Sequence, residues 1–312
     1  MMNIATLTMN PTIDVSFETD RVFHTRKMRG RNECHAPGGG GINVARVFVR
    51  LGGNARCYYL SGGATGAALD GLIDLHQLVR SRIAIAGETR VSTSVYERGS
   101  GHEYRFVTEG PTVSPGEWQD CLDRIGEVRC DYLVVSGSLP RGVPEDFYAQ
   151  VADRANERDI RVVLDSSGRG LAGGLAGRGI YLVKPSIGEL RSLTGRDLAS
   201  DETIAEAAKG IVDRGEAEHV AVTMGRAGGL LCNASGVLRL PAVPIKAAST
   251  VGAGDSFLAA MVHSLASGQA PGDAFRFGLA AGAAAALTPG TDLAQPDEIR
   301  RLFADSGASS AR

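Results

Sequence analysis

Four short apolar runs, each closed by a polar turn and followed by helical pattern, constrain this chain most. They are Leu133-Val134-Val135 before Ser136-Gly137-Ser138-Leu139-Pro140, 160–164 before Asp165-Ser166-Ser167-Gly168, 180–183 before Lys184-Pro185, and 220–222 before Thr223-Met224-Gly225. A continuous apolar run of this length, without alternation, suits a strand buried on both faces. Repeated strand–turn–helix units predict an α/β fold with a mainly parallel sheet covered on both sides. In such sheets ligands sit outside the carboxyl ends of the strands, where these turns fall. Two other segments differ. Ile13, Val15 and Phe17 alternate with polar residues, as do Val91, Thr93 and Val95 before a Gly99-Ser100-Gly101 turn and Tyr104, Phe106. These segments, about 13–34 and 88–107, predict a small sheet with one open face, suited to a lid.

The stretch Thr250-Val251-Gly252-Ala253-Gly254-Asp255-Ser256-Phe257 joins a glycine loop to an apolar helix. A helix start offers free N–H groups and the positive end of the dipole, which suits an anion. Asp255 there reads two ways: as a helix cap, or as a general base beside a phosphate cradle. A second glycine run, Pro37-Gly38-Gly39-Gly40-Gly41, opens the helix at Ile42-Asn43-Val44. It comes too late after the first strand for a dinucleotide fingerprint. None of the four lysines (27, 184, 209, 246) follows a glycine, so a Walker A loop is absent. Phosphates would therefore be held by glycine loops, helix starts and arginines.

Lys27, Arg29, Arg90 and Arg105 fall in or beside the lid segments. Singly each suits a solvated surface; together they suit a phosphate-bearing substrate. Asp14 could accept hydrogen bonds from sugar hydroxyls or simply serve a turn, and Glu189 could support a metal or cap the helix at Ser186. The histidines show no ligand spacing. A chain of 312 residues can bury one large core. A net charge of −2 gives no general attraction to nucleic acid or to anionic membranes. Five cysteines without a C-x-x-C pair suggest no zinc cluster or disulfide framework and fit a reducing cytoplasm. No signal pattern and no membrane-length apolar run is found, and the small polar tail at 305–312 is expected to fray.

The two glycine stretches resemble the signatures of a known family. Pro37-Gly-Gly-Gly-Gly-Ile-Asn-Val-Ala-Arg46 is similar to the first signature of the PfkB sugar kinases, within the ribokinase-like fold, and Thr250-Val-Gly-Ala-Gly-Asp255 is similar to their second. The resemblance runs from Thr6-Leu-Thr-Met-Asn-Pro to Phe277-Gly-Leu-Ala-Ala-Gly. The four-glycine form, Lys27, Asp165-Ser-Ser-Gly168 and Arg105-Phe-Val look most like the minor 6-phosphofructokinase branch. The resemblance implies a single three-layer αβα sandwich with a β-lid, and a homodimer through the lid. It implies transfer of the ATP γ-phosphate to the 1-hydroxyl of fructose 6-phosphate, with Asp255 as base and the N–H groups of Gly252, Ala253 and Gly254 as the anion hole. Asp14, Gly38, Gly39 and Asn43 would hold the sugar, and Lys27, Arg90, Arg105 and Ser138 its phosphate. Lys184, Thr223, Gly225 and Gly228 would line the nucleotide side. Mg2+ would be organised through water by Glu189, and K+ would bind near Ser249 and Val251.

The family's N-x-x-E motif reads Ser186-Ile-Gly-Glu189 here. The change bears on metal handling and leaves the glutamate in place. Siblings acting on fructose 1-phosphate or tagatose 6-phosphate are enzyme alternatives. A sugar-phosphate or nucleotide sensor with a weakened site is the alternative of another class. A sensor needs no base, so the presence of Asp255 with the whole glycine loop argues against it.

Overall fold

The computed structural model describes residues 3–247, 251–288 and 292–309. In chain order it builds β1 (Asn3–Thr8), β2 (Thr12–Thr19), β3 (Arg31–Gly38), α1 (Gly40–Arg50), β4 (Asn54–Ser61), α2 (Gly63–Leu75), β5 (Val79–Ala84), β6 (Arg90–Glu97) and β7 (His102–Val107). There follow α3 (Pro115–Gly126), β8 (Tyr132–Ser136), α4 (Phe147–Asn156), β9 (Arg161–Asp165), α5 (Gly168–Ala176), β10 (Ile180–Val183), α6 (Ile187–Thr194), α7 (Asp201–Asp213) and β11 (Ala217–Thr223). The rest is β12 (Gly229–Asn233), β13 (Gly236–Leu240), α8 (Ala253–Ala266), α9 (Pro271–Ala286) and α10 (Pro296–Ser309).

The large sheet has the order β13-β12-β11-β10-β9-β8-β1-β4-β5. Its strands are parallel from β11 to β5, and β12 and β13 are added antiparallel. Successive side chains of a strand point to opposite faces, and the core divides accordingly. Leu133 and Val135 of β8 pack with α3, α4, α5, α6 and α7. Tyr132 and Val134 pack with α1, α2, α8, α9 and α10. The predicted αβα layering is thus built from one alternation. Helices α8 and α9 approach closely because their contact is made of small residues; a Cβ on Gly278 would sit 3.0 Å from the Phe257 ring.

The strand order turns back at β1, which lies between β4 and β8. This places a crevice at the carboxyl ends of β1, β8 and β9. Over it lies the second sheet, ordered β3-β2-β6-β7, built from residues 12–38 and 90–107. The β6–β7 hairpin closes at the predicted turn, pairing Glu97 with His102. One expectation is corrected. The tail from 305 does not fray as a whole, since α10 continues to Ser309.

Candidate active site

Helix α8 begins after Gly252, whose φ of 68° is left-handed and therefore glycine's. A Cβ there would also overlap Leu293 Cδ2. The first turn then presents the N–H groups of Gly252, Ala253 and Gly254 beside Asp255. Asp255 does not cap the helix through its side chain. Its Oδ2 accepts a 2.9 Å hydrogen bond from Asn43 Nδ2, across 212 residues of chain. Asn43 stands in the first turn of α1, which the other glycine run opens. That run is glycine for lack of space: a Cβ on Gly40 would overlap Ser136 Oγ and lie 3.4 Å from Asp255 Oδ1.

Gly40, Asn43, Ser136, Gly252 and Asp255 line a cleft of about 270 Å3 together with Thr12, Asp14, Gly39, Arg90, Ser92, Arg105, Ser138, Glu189 and Val251; Ala253 and Gly254 are not among its lining residues. Its charge is polarised. At one side Asp255 stands near Asp165; burial pushes its carboxyl up to about 6, Asp165 adds to this, and Asn43 and Lys184 oppose it. At the other, Arg90 and Arg105 come from the lid. Asp14 lies near both arginines: burial pushes it up to about 6 against the pull of Arg105, Arg90 and Arg46. Arg90 is anchored by its two terminal nitrogens, which donate to Thr108 O at 2.9 Å and Asn10 O at 2.8 Å. Gly38 packs on the Asp14 carboxylate, which a Cβ would overlap.

Other sequence-predicted residues lie elsewhere. Lys27 is exposed on the β2–β3 connection and does not line the cleft. Lys184 is buried beneath the anion loop, 3.0 Å from Asp165 Oδ1, with Nζ 3.5 Å from where a Gly254 Cβ would be. Burial disfavours its charge, but the carboxylates of Asp165, Glu189 and Asp255 more than restore it, so the ammonium is held charged. Thr223 ends β11 and Gly225 and Gly228 follow it; none of the three lines a second groove of about 440 Å3, but Gly228 packs on the 240–242 segment that forms part of its wall with Val243, Ile245, Leu279, Arg276 and Arg301. Gly228 packs so tightly on Leu240 O that a Cβ would overlap it. Ser249, like Thr250, lies outside the described residues. Several cleft residues were assigned no role from the sequence, namely Thr12, Ser92, Ser136, Asp165 and Ser166. For Ser136 and Asp165 the usable signal was their place at the end of an apolar strand.

Of the two readings made of Glu189, the structure shows the cap. Ser186 Oγ accepts from Glu189 N at 3.2 Å, and Ser186 N donates to Glu189 Oε2 at 2.7 Å. This is a capping box, and Oε1 remains for the cleft. Among the described residues no cluster of three His, Cys, Asp or Glu is arranged to hold a metal directly. One carboxylate acting through water, with substrate phosphates completing the shell, is the usual arrangement for Mg2+; Glu189 fits that mode.

A mainly parallel sandwich with a strand-built lid, and a carboxylate at the head of a glycine-opened helix, define a carbohydrate kinase of the ribokinase-like fold. The chain belongs to the pfkB family of carbohydrate kinases, whose model (pfkB family carbohydrate kinase) matches residues 7–298. It is 40% identical over 302 residues to ATP-dependent 6-phosphofructokinase isozyme 2 of Mycobacterium tuberculosis, covering 96% of this chain and 88% of the relative. It superposes on Phosphofructokinase-2 from Escherichia coli in complex with potassium with a TM-score of 0.94 at 36% identity, covering 98% of this chain and 100% of the other. The same enzyme in complex with fructose-6-phosphate gives 0.92 at 35% identity, with the same coverage.

Proposed function

We propose that this chain transfers the γ-phosphate of ATP to the 1-hydroxyl of fructose 6-phosphate. The observation that carries the reading is the polarity of the cleft, with a base carboxylate at one end and two lid arginines at the other. A sugar with a hydroxyl at one end and a phosphate at the other spans it. Asp14 and Asn43 hold the hydroxyls between. Asp255 takes the proton as the oxygen attacks phosphorus, and the N–H groups of Gly252, Ala253 and Gly254 receive the transferred charge. Lys184 adds a fixed cation beneath the loop. The nucleotide base occupies the apolar groove behind Gly228, whose lining chain at 240–245 leads toward the anion loop. Mg2+ bound near Glu189 would neutralise charge on the phosphates, and K+ would sit at the carbonyl side of Val251, consistent with the potassium complex of the Escherichia coli relative.

The lid leaves Phe23, Tyr96, Phe106 and Val107 exposed, Phe106 at 60%. Tyr96 and Val107 lie on one face of the β6–β7 pair and Phe106 on the other; we read these exposed apolar side chains of the lid as the contact of a homodimer, which would also give Lys27 its place near a cleft. All five cysteines are free, and the assigned compartment is a reducing cytoplasm. Among the described residues no helix is long and apolar enough to cross a membrane. The deciding experiment is a panel of fructose, fructose 6-phosphate, fructose 1-phosphate and tagatose 6-phosphate with ATP and Mg2+, followed by ADP release. Fructose 6-phosphate is expected to give the highest kcat/KM. A higher value for either other phosphosugar moves the assignment to that sibling, and no ADP release with any of them leaves the sensor.

Two variants probe the cleft's ends. Arg90→Ala and Arg105→Ala should each raise KM for the sugar phosphate roughly ten- to hundred-fold, as expected for a lost charge-assisted contact, with less change in KM for ATP. Equal activity on fructose and fructose 6-phosphate in the wild type would exclude phosphate recognition by these arginines. Glu189→Ala should shift the magnesium dependence to higher concentration, and Ser186→Asn should shift it to lower concentration with the sugar KM unchanged. A magnesium titration of Glu189→Ala that overlays the wild type would reduce Glu189 to its capping role.

A further inference from the structure

Arg46 of α1 is only 5% exposed, and its pull on the Asp14 carboxyl is the one role given to it above. Its Nη1 donates to Asn43 Oδ1 at 3.2 Å and to Pro37 O at 3.3 Å. Its Nε, also buried, has no hydrogen-bond partner among the described residues. A buried guanidinium with an unmet donor costs stability, and such a cost is usually kept for a purpose. Burial pushes it down to about 10, which leaves it charged at neutral pH.

Asn43 is the link. Its carbonyl oxygen faces Arg46 and its NH2 group faces Asp255 Oδ2 at 2.9 Å. Turning the amide over would set oxygen against carboxylate and NH2 against guanidinium. While Asp255 is ionised, the carboxylate alone favours the observed orientation. Once it has taken a proton that preference vanishes, because a carboxyl O–H at Oδ2 could donate to a flipped amide oxygen. Only Arg46 then holds the amide in place. The remaining oxygen, Oδ1, is the one beside Gly40 on the cleft wall.

We propose that Arg46 is a positioning residue for phosphoryl transfer, fixing the Asn43 amide so that Asp255 Oδ2 stays occupied and Oδ1 alone receives the proton. The inference rests on the reading of Asp255 as base and deepens it. The sugar O–H bond breaks and its proton bonds to Oδ1. The freed electron pair forms the bond to the γ-phosphorus, and the bond from that phosphorus to the bridging oxygen breaks, its pair leaving on ADP. The second contact, to Pro37 O, ties the last residues of lid strand β3 to the same guanidinium, so lid and base share one anchor.

A double-mutant cycle tests this. Arg46→Met, neutral and of similar length, should lower kcat by about tenfold or more while both KM values stay within about threefold, and Arg46→Lys should fall between it and the wild type. In an Asn43→Ala background, Arg46→Met should change kcat by less than about twofold, since the group through which it acts is gone. Multiplicative losses in the cycle, or an Arg46→Met kcat within about twofold of wild type, would overturn the proposal. Circular dichroism and thermal melts accompany each variant; if Arg46→Met is not folded, Arg46→Lys carries the cycle, with an expected kcat loss of about two- to tenfold that disappears in the Asn43→Ala background, and a loss that is smaller or that persists there would overturn the proposal. Asp255→Asn measured alongside separates the two failures. If it stays active, the base reading has failed; if it is inactive while the cycle is multiplicative, only the role of Arg46 has.

Discussion

Asp255→Asn is expected to fold normally, bind both substrates near normally, and lose about 10²–10⁴ in kcat, the usual scale for a lost general base. The exchange keeps the shape of the side chain. Asn43 Nδ2 now donates to a carboxylate oxygen, and an amide oxygen can accept in its place. What disappears is the ability to take a proton at the mouth of the anion loop. Single-turnover measurements with saturating ATP separate this from slow product release. A variant keeping more than about a tenth of wild-type turnover would make Asp255 a structural carboxylate.

The same residue predicts a pH dependence with a definite sign. Burial, then Asp165, raises Asp255 to about 6, and burial raises Asp14 to a similar value. In the proposed roles both must be ionised, one to accept the proton and the other to accept sugar hydroxyls. Lowering the pH through 6 protonates them, so kcat/KM falls on the acid side and is maintained above it. With two groups involved, the limb should steepen toward about two decades per pH unit. In Asp255→Asn the limb should relax to unit slope; a wild-type limb that already has unit slope and is unchanged in Asp255→Asn would leave Asp14 as its sole source.

The second large effect is expected at Lys184. Its side chain is 6% exposed and pairs with an Asp165 that is itself 13% exposed. Lys184→Met leaves that carboxylate buried without a counter-charge, at a cost of about 3–5 kcal/mol. Denaturant midpoints should show the loss directly. Adding Asp165→Asn should return most of the stability, because a neutral pair no longer carries a buried charge, while activity stays low for want of the cation beneath the loop. Recovery of both together would make the ion pair purely structural.

The contrast between what could and could not be read from the chain has a local cause. Strands β8 and β9 were legible because both faces are covered, so their runs are uninterrupted. Strand β5 was not, because it is an edge: Val79-Arg80-Ser81-Arg82 carries two arginines, held 3.8 and 3.5 Å from Asp70, and reads as surface. The β12–β13 ribbon and the alanine-rich α9 lacked a distinguishing period for similar reasons. In the site, the glycine loops were legible since their chemistry is confined to adjacent residues. The Arg46–Asn43–Asp255 chain was not, since its last step joins residues brought together only by α1 packing on α8. Lys27 is the converse, a residue picked out in the chain that the structure leaves exposed and away from the cleft.

The lid strands enter the chain as two detours, one between β1 and α1 and one between β5 and α3, and everything they contribute lies within the first 107 residues. The anion loop, the buried lysine and the nucleotide-side groove all come from residues after 180. Under the proposed function, in which the lid arginines hold the sugar phosphate and Asp255 acts as base, most contacts to the alcohol and the activation of phosphate are written in separate stretches of the gene. A lineage could exchange the detours and acquire a new acceptor while inheriting its phosphoryl-transfer machinery unchanged. Gly40, where the two halves touch at Ser136 and Asp255, marks the seam that any such exchange would have to respect.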